Sequence, residues 1–178
     1  MSEQKATEVS ATEPDWTREQ CRGFWDPGRR LLRSIRRYQH WRSSEKVVAP
    51  LVRRYWVLQH RFWSVVTGAD IPLNVQIGGG LLIPHPNGIV IHPHTRIGPN
   101  CLIFQQVTVG TRDGEGPPIL GGHVDVGAGA KCLGAIRLGD RAKVGANAVV
   151  LENVPASATV VGIPARALGS GAQADKSS

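Results

Sequence analysis

Cysteine and aromatic residues are scarce in this sequence. Its three cysteines, Cys21, Cys101 and Cys132, form neither a CxxC pair nor a Cys/His ligand spacing. That excludes a disulfide framework and a zinc site, and makes a reducing cytoplasm the expected location. The first 20 residues lack the basic-then-apolar layout of a secretory signal and instead carry Glu3, Glu8, Glu13 and Asp15, so no export is implied. A long hydrophobic run is missing too. The apolar stretch Val47 to Val66 is broken by Arg53, Arg54, Gln59, His60 and Arg61, too polar for an unassisted membrane span, and a soluble protein is expected. Against three Phe and two Tyr stand 21 Gly and 12 Pro, a balance that points to many tight turns. At 178 residues and 41% hydrophobic, the chain has room for one compact domain and an appendage.

Two regions differ in grammar. All five tryptophans (Trp16, Trp25, Trp41, Trp56, Trp63) precede residue 69, and between Arg22 and Arg61 eleven Lys or Arg face only Asp26 and Glu45. Leu31, Leu32, Ile35 and Tyr38, then Val48, Leu51, Val52, Trp56 and Phe62, recur at roughly helical spacing, which predicts two or three amphipathic helices, with Pro50 opening the second. A basic helical face is open to a nucleic-acid or anionic-membrane reading. The reading preferred here is a helical cap that packs on its own oligomer and steers acidic ligands; no nucleic acid and no membrane span are expected.

From Ile71 the period becomes six. Ile71, Ile77, Ile83, Ile91, Ile97, Ile103 and Val109 each open a unit, and the frame resumes at Leu120, Val126, Cys132, Leu138, Val144 and Val150. Glycine directly follows at 78, 98, 110, 121, 127, 139 and 145. Each unit reads as a short strand and a turn with its aliphatic residue inward, so the predicted fold is mainly β, a parallel β-helix of hexapeptide repeats preceded by a short α-helical region. The expected division is a disordered tail over 1–20, basic helices over 21–69, the β-helix over 70–167 and a disordered tail over 168–178. Cys101 and Cys132 fall at small-residue or inward positions, where packing outweighs a nucleophilic role.

A repeat is self-consistent, so its interruptions mark residues used for something besides stacking. Ile83 to Val90 is eight residues long and presents His85 between Pro84 and Pro86; Val109 to Ile119 carries five extra residues, mostly Gly, Pro and charged. The site is expected between His85 and this loop. A neutral imidazole can take a proton from an alcohol near neutral pH. Asp70, fifteen residues before His85, stands close to one 18-residue coil away and could fix its tautomer. Taken alone, the histidine also fits a surface or packing role, and Asp70 a turn cap.

The stretches DIPLNVQIGGGLLIPHPNGIVI, IFQQVTVGT, VGAGAKCLGAIRLGDRAKVGANAVV and VGIPARALG resemble bacterial serine acetyltransferases of the left-handed β-helix class, from about Gly68 to Gly169. The resemblance implies that acetyl-CoA is the co-substrate, that His85 is the catalytic base and that Asp70 is its partner, with no metal and no covalent acyl-enzyme. It implies cofactor contacts at Gly110, Ala128, Lys143 and Ala146, in a groove between adjacent subunits, and an oxyanion donor near Gly110 or Thr111.

Departures bear on the acceptor. Pro84 stands where the family has an aspartate before the histidine, and Gly116 and Pro117 stand where it has an Arg-His pair; Arg112 is the candidate replacement for holding a substrate carboxylate. His92 is the reserve base and a candidate substrate contact, and His123 could border the cofactor groove, while His40, His60 and His94 read as structural or solvated. The helical region is about half the family's usual length and is the part that pairs trimers into hexamers, so a homotrimer is expected. The chain ends in Asp175-Lys176-Ser177-Ser178 without the family's terminal isoleucine, so a complex with cysteine synthase is not expected. The leading function is serine O-acetyltransfer, a step of cysteine biosynthesis. A sugar or polysaccharide acceptor is the alternative, and a non-catalytic β-helix whose basic helices bind an anionic surface is the third.

Overall fold

The computed structural model describes residues 9–168. Two helices come first, α1 (Pro27–Arg42) and α2 (Ala49–Thr67). Each has proline in its first turn, where the missing N–H costs nothing, and Gly68 closes α2 in the left-handed conformation.

Beyond them the chain visits three parallel sheets in rotation. The first holds β1 (Gln76–Ile77), β3 (Arg96–Ile97), β6 (Ile119–Leu120) and β9 (Arg137–Leu138). The second holds β2 (Val90–Ile91), β5 (Thr108–Gly110), β8 (Lys131–Leu133) and β11 (Val149–Val150). The third holds β4 (Leu102–Ile103), β7 (Asp125–Val126), β10 (Lys143–Val144) and β12 (Thr159–Val161), with β13 (Arg166–Ala167) added antiparallel to β12. The fold is thus mainly β with two helices, as the period of six predicts.

Strand register exposes the two breaks directly. Asp125 pairs with Lys143 and Thr108 follows Val90, each 18 residues on. Across the His85 segment the partner of Gln76 is Arg96, 20 on, and across the second break the partner of Leu102 is Asp125, 23 on. The extra residues therefore bulge out of the coil and leave the stacking of the next strand intact. The repeat aliphatics are buried, Ile77 alone being half-buried, and a second inward set lies two positions before them, including Leu81, Ile89, Val107, Val124 and Ala142. Coils approach closely at the corners: a Cβ on Gly98 would stand 2.4 Å from the Gly121 carbonyl carbon, so only glycine fits there.

The helices close the first coil. Their Leu31, Leu32 and Ile35 join the same core as Ile71, Val75 and Leu81. In later coils a backward-facing carbonyl such as that of Ile97 accepts from the coil before, here from Gly78 N–H. The first coil has no coil before it, and helical side chains take that part. Arg36 donates to the Ile77 and Gly78 carbonyls, Gln39 to those of Leu73 and Val75, and His60 Nε2 lies 2.8 Å from that of Ile71. Such pairing removes the cost of buried, unpaired backbone groups.

Residues 9–20 depart from the expected disordered tail. They lie along the coil corner, with a 3-10 turn at Trp16–Glu19. The buried Asn100 side chain accepts from Asp15 N–H at 2.8 Å and donates to the Ser10 and Glu13 carbonyls, both at 2.7 Å. Glu19 accepts from Gly80 N–H, Leu81 N–H and the Arg36 guanidinium. Polar composition misleads here because the partners are some 85 residues away in sequence. The remainder of the two expected tails, 1–8 and 169–178, lies outside the described residues. Among the described residues no helix is long and apolar enough to cross a membrane.

Candidate active site

The proline-flanked turn lifts His85 out of the coil between the third and second sheets, and the side chain is exposed. It lines a cleft of about 620 Å³ whose other wall is the start of α1 and the end of α2: Asp26, Arg29, Val66 and Thr67 face Pro84, Pro86 and Asn87. Asp26 caps α1 in position, and its carboxylate accepts from Arg22 N–H at 3.1 Å and Arg29 Nη1 at 3.2 Å. Burial works against that carboxylate, but these two donors outweigh it and hold its pKa below the usual value. The cleft thus carries a fixed Asp26–Arg29 pair, with Arg22 also on its wall, beside an exposed imidazole. Sequence reasoning missed this wall; the signal available was Asp26-Pro27, an N-cap followed by proline.

Below His85 the same corner repeats coil by coil. Gln106 N–H donates to the Asn87 carbonyl, Gly129 N–H to that of Gln105, and Asn147 N–H to that of Ala128. Ala128 and Ala146 therefore lie along one edge with His85, Ala128 half-buried and Ala146 exposed, while exposed Lys143 stands on the third sheet, paired with Asp125 and Thr159. Gln106 Nε2 donates to Asn87 Oδ1 at 2.9 Å and Lys131 Nζ to the Gln106 carbonyl at 2.6 Å, which ties the turn after His85 to the coil below.

Asp70 lies just past the end of the same turn, where Gly88 N–H donates to the Gly68 carbonyl and Asp70 N–H to that of Ile89. It extends the second sheet by pairing with Val90, in the outward row that continues through Thr108, Lys131 and Val149. It is exposed, and among the described residues no hydrogen bond or ion pair joins it to His85.

Gly110, Thr111, Arg112 and His92 form a second group. His92 N–H donates to the Val109 carbonyl, which brings it beside Gly110 where the chain leaves the second sheet for the first. A Cβ on Gly110 would meet nothing closer than 3.8 Å, so the strand surface there is open. Arg112 is engaged by its own loop, with Nε 3.5 Å from Asp113 and Nη2 4.0 Å from Glu115. Within one chain the second sheet lies between His85 and this loop. His85 precedes the second sheet and the loop follows it, so they stand at opposite ends of that face. His123, with φ 54° and a buried, unpartnered Nδ1, sits in a turn between the first and third sheets, away from the His85 edge. Among the described residues no group of three or more His, Cys, Asp or Glu is arranged to hold a metal ion.

A serine acetyltransferase of Synechococcus elongatus is 39% identical over 135 residues, covering 74% of this chain and 53% of that protein. One from Helicobacter pylori is 46% identical over 106 residues, covering 58% and 62%. Among solved structures, the soybean serine acetyltransferase apoenzyme aligns with a TM-score of 0.68 at 36% identity, over 80% of this chain and 57% of that one. A serine acetyltransferase in complex with CoA aligns with a TM-score of 0.66 at 33% identity, over 82% and 58%. No family model matches the chain. The chain spans about half the length of the curated relatives it matches.

Proposed function

We propose, from the premise that its relatives in sequence and structure are serine acetyltransferases, that this chain transfers acetyl from acetyl-CoA to the hydroxyl of L-serine. The observation that carries the reading is His85, held exposed between two prolines at the mouth of a cleft with an Asp26–Arg29 wall. Neutral His85 takes the hydroxyl proton as the serine oxygen attacks the thioester carbon. The C–O bond forms, the C–S bond breaks, and the imidazolium returns its proton to the departing thiolate, giving O-acetylserine and CoA with no metal. Asp70 is the proposed stabiliser of the imidazolium, and Gly110 or Thr111 N–H the oxyanion donor.

The two groups of residues stand at opposite ends of one sheet face, which favours a site completed between copies. The reading therefore includes a homotrimer whose groove is lined by Ala128, Lys143 and Ala146 from one copy and Gly110 and Thr111 from the next. It also includes a left-handed coil over 70–167 behind helices over 21–69, a role in cysteine biosynthesis and a cytoplasmic location. One observation favours a second acceptor class. Arg112, the candidate carboxylate ligand, already has Asp113 at 3.5 Å and Glu115 at 4.0 Å beside it, and a sugar hydroxyl, which needs no free cation, would not compete with them.

The test is release of the CoA thiol from acetyl-CoA with L-serine, beside a panel of sugars and the His85→Ala variant. Serine-dependent release that drops by about 10²–10⁴ in His85→Ala supports the proposal. Release with a sugar alone moves the protein to the second class, and no release with any acceptor overturns both.

A further inference from the structure

One cation on the wall of the His85 cleft has no partner among the described residues. Arg22, Asp26 and Arg29 line that cleft together with the histidine. Arg29 is occupied, its Nε donating to the Arg18 carbonyl at 2.8 Å and its Nη1 to Asp26 at 3.2 Å. Arg22 is engaged through its backbone, whose N–H donates to Asp26 Oδ2 at 3.1 Å. The residue is exposed, and among the described residues its guanidinium makes no hydrogen bond or ion pair.

The place of Arg22 is nonetheless fixed. Those bonds from Arg29 and to Asp26 fasten the segment 18–26 to the start of α1. The start of α1 in turn abuts the His85 turn: a Cβ on Gly28 would stand 2.7 Å from the Ile83 carbonyl oxygen, two residues before the histidine. The wall that carries Arg22 is therefore packed directly against the segment that carries the base.

We propose that Arg22 holds the carboxylate of the acceptor and is the residue by which this site selects an amino acid over a neutral alcohol. The inference rests on the serine reading above. In serine two carbons separate the hydroxyl from the carboxylate, so the group that binds the carboxylate must share a cleft with the base. Arg29 already faces Asp26, and Arg112 has Asp113 and Glu115 beside it. Arg22 is the described residue that combines an unpaired guanidinium with a place in the cleft. A guanidinium offers paired N–H donors that match a carboxylate, and such charge-assisted bonds are the stronger class. Asp26 would repel an incoming carboxylate, but Arg22 and Arg29 together outnumber it and leave the wall net positive.

L-serinamide, in which a neutral amide replaces the carboxylate, is the discriminating acceptor. Acetyl transfer from acetyl-CoA is followed with L-serine and with L-serinamide for the full-length parent, Arg22→Gln, Arg22→Lys and Arg112→Gln. The serine-to-serinamide ratio of kcat/KM should fall about tenfold in Arg22→Gln, a modest effect because the residue is exposed. The loss should appear in KM for serine rather than in kcat. Arg22→Lys should restore part of it, keeping the charge but not the paired donors. A merely structural role would lower both acceptors alike; an unmoved ratio in Arg22→Gln overturns the proposal. So does a ratio that collapses in Arg112→Gln but not in Arg22→Gln, which assigns the carboxylate to the loop. A parent that releases no CoA thiol with serine is a different failure, that of the serine reading itself, and removes this inference with it. Circular dichroism and melting temperatures matching the parent establish that each variant is folded.

Discussion

Replacing Asn100 by alanine removes three hydrogen bonds at once, those with Asp15 N–H and the Ser10 and Glu13 carbonyls. At about 0.5–1.5 kcal/mol each, the loss is roughly 2–4 kcal/mol. Asn100 also has φ 59°, where a Cβ without a locally bonding amide costs on the order of 1 kcal/mol more. Asn100→Gly separates the two contributions, since glycine keeps the conformation at no steric cost while losing the amide. The expected order of stability in urea is parent, then Asn100→Gly, then Asn100→Ala, with the last pair about 1 kcal/mol apart. The segment 9–20 can detach on its own and so cap the measured loss. Limited trypsin digestion catches that outcome, because cleavage after Arg18 should speed up tenfold or more in both variants. An Asn100→Ala protein within about 0.5 kcal/mol of the parent, with Arg18 still protected, would refute the view that this amide fastens the segment.

Glu19→Gln should destabilise the chain by about 3 kcal/mol, since it leaves the Arg36 charge against the coil without its carboxylate, 2.7 Å away in the parent; denaturant midpoints measure it, and a shift below 1 kcal/mol would contradict the assignment. Gly98→Ala should be costlier to the coil than Gly110→Ala, because the first drives a Cβ into Gly121 and the second meets nothing closer than 3.8 Å; melting temperatures of the two variants decide. Burial pushes the Cys101 and Cys132 thiols up to about 12, so a thiol reagent at pH 8 should label Cys21 alone, and all three once the chain is unfolded. The same shift has a pH signature. Between about 9 and about 12 the unfolded chain releases protons that the folded chain keeps, so stability present below pH 9 falls as pH rises through that window. Melting temperatures of the parent and a Cys132→Ala variant, compared at pH 8 and pH 10, test it; the variant should lose less.

The coil was legible because its aliphatic period is strict, and both interruptions reappear as register steps of 20 and 23 residues in place of 18. His85 was legible for the same reason, as a histidine fixed by prolines outside the frame. The relation of His85 to Arg112 was not. Their places in neighbouring coils follow from the repeat, but a three-sided coil also carries the chain from one end of a face to the other between them. Residues 9–20 were misread because their backbone groups find the Asn100 side chain and Glu19 finds Gly80 N–H, and nothing local in the sequence signals those contacts. The basic helices were read as a cap that packs on its own oligomer and steers acidic ligands, and the part that composition does not show is Arg36, committed to Glu19 and to carbonyls of the first coil.

A stack of identical coils contains no instruction about when to stop, since each sheet ends in a row of unpaired backbone groups able to template another strand. In this molecule the first coil meets Arg36, Gln39 and His60, which occupy its backward carbonyls, and the last strand of the third sheet meets β13 running the opposite way. Removing either terminator would expose an edge that fits the other end of a second molecule, and the product to look for is a fibre growing end to end. The finite length of the rod is a property of its two closures, and the repeat between them could be lengthened by whole coils without touching either.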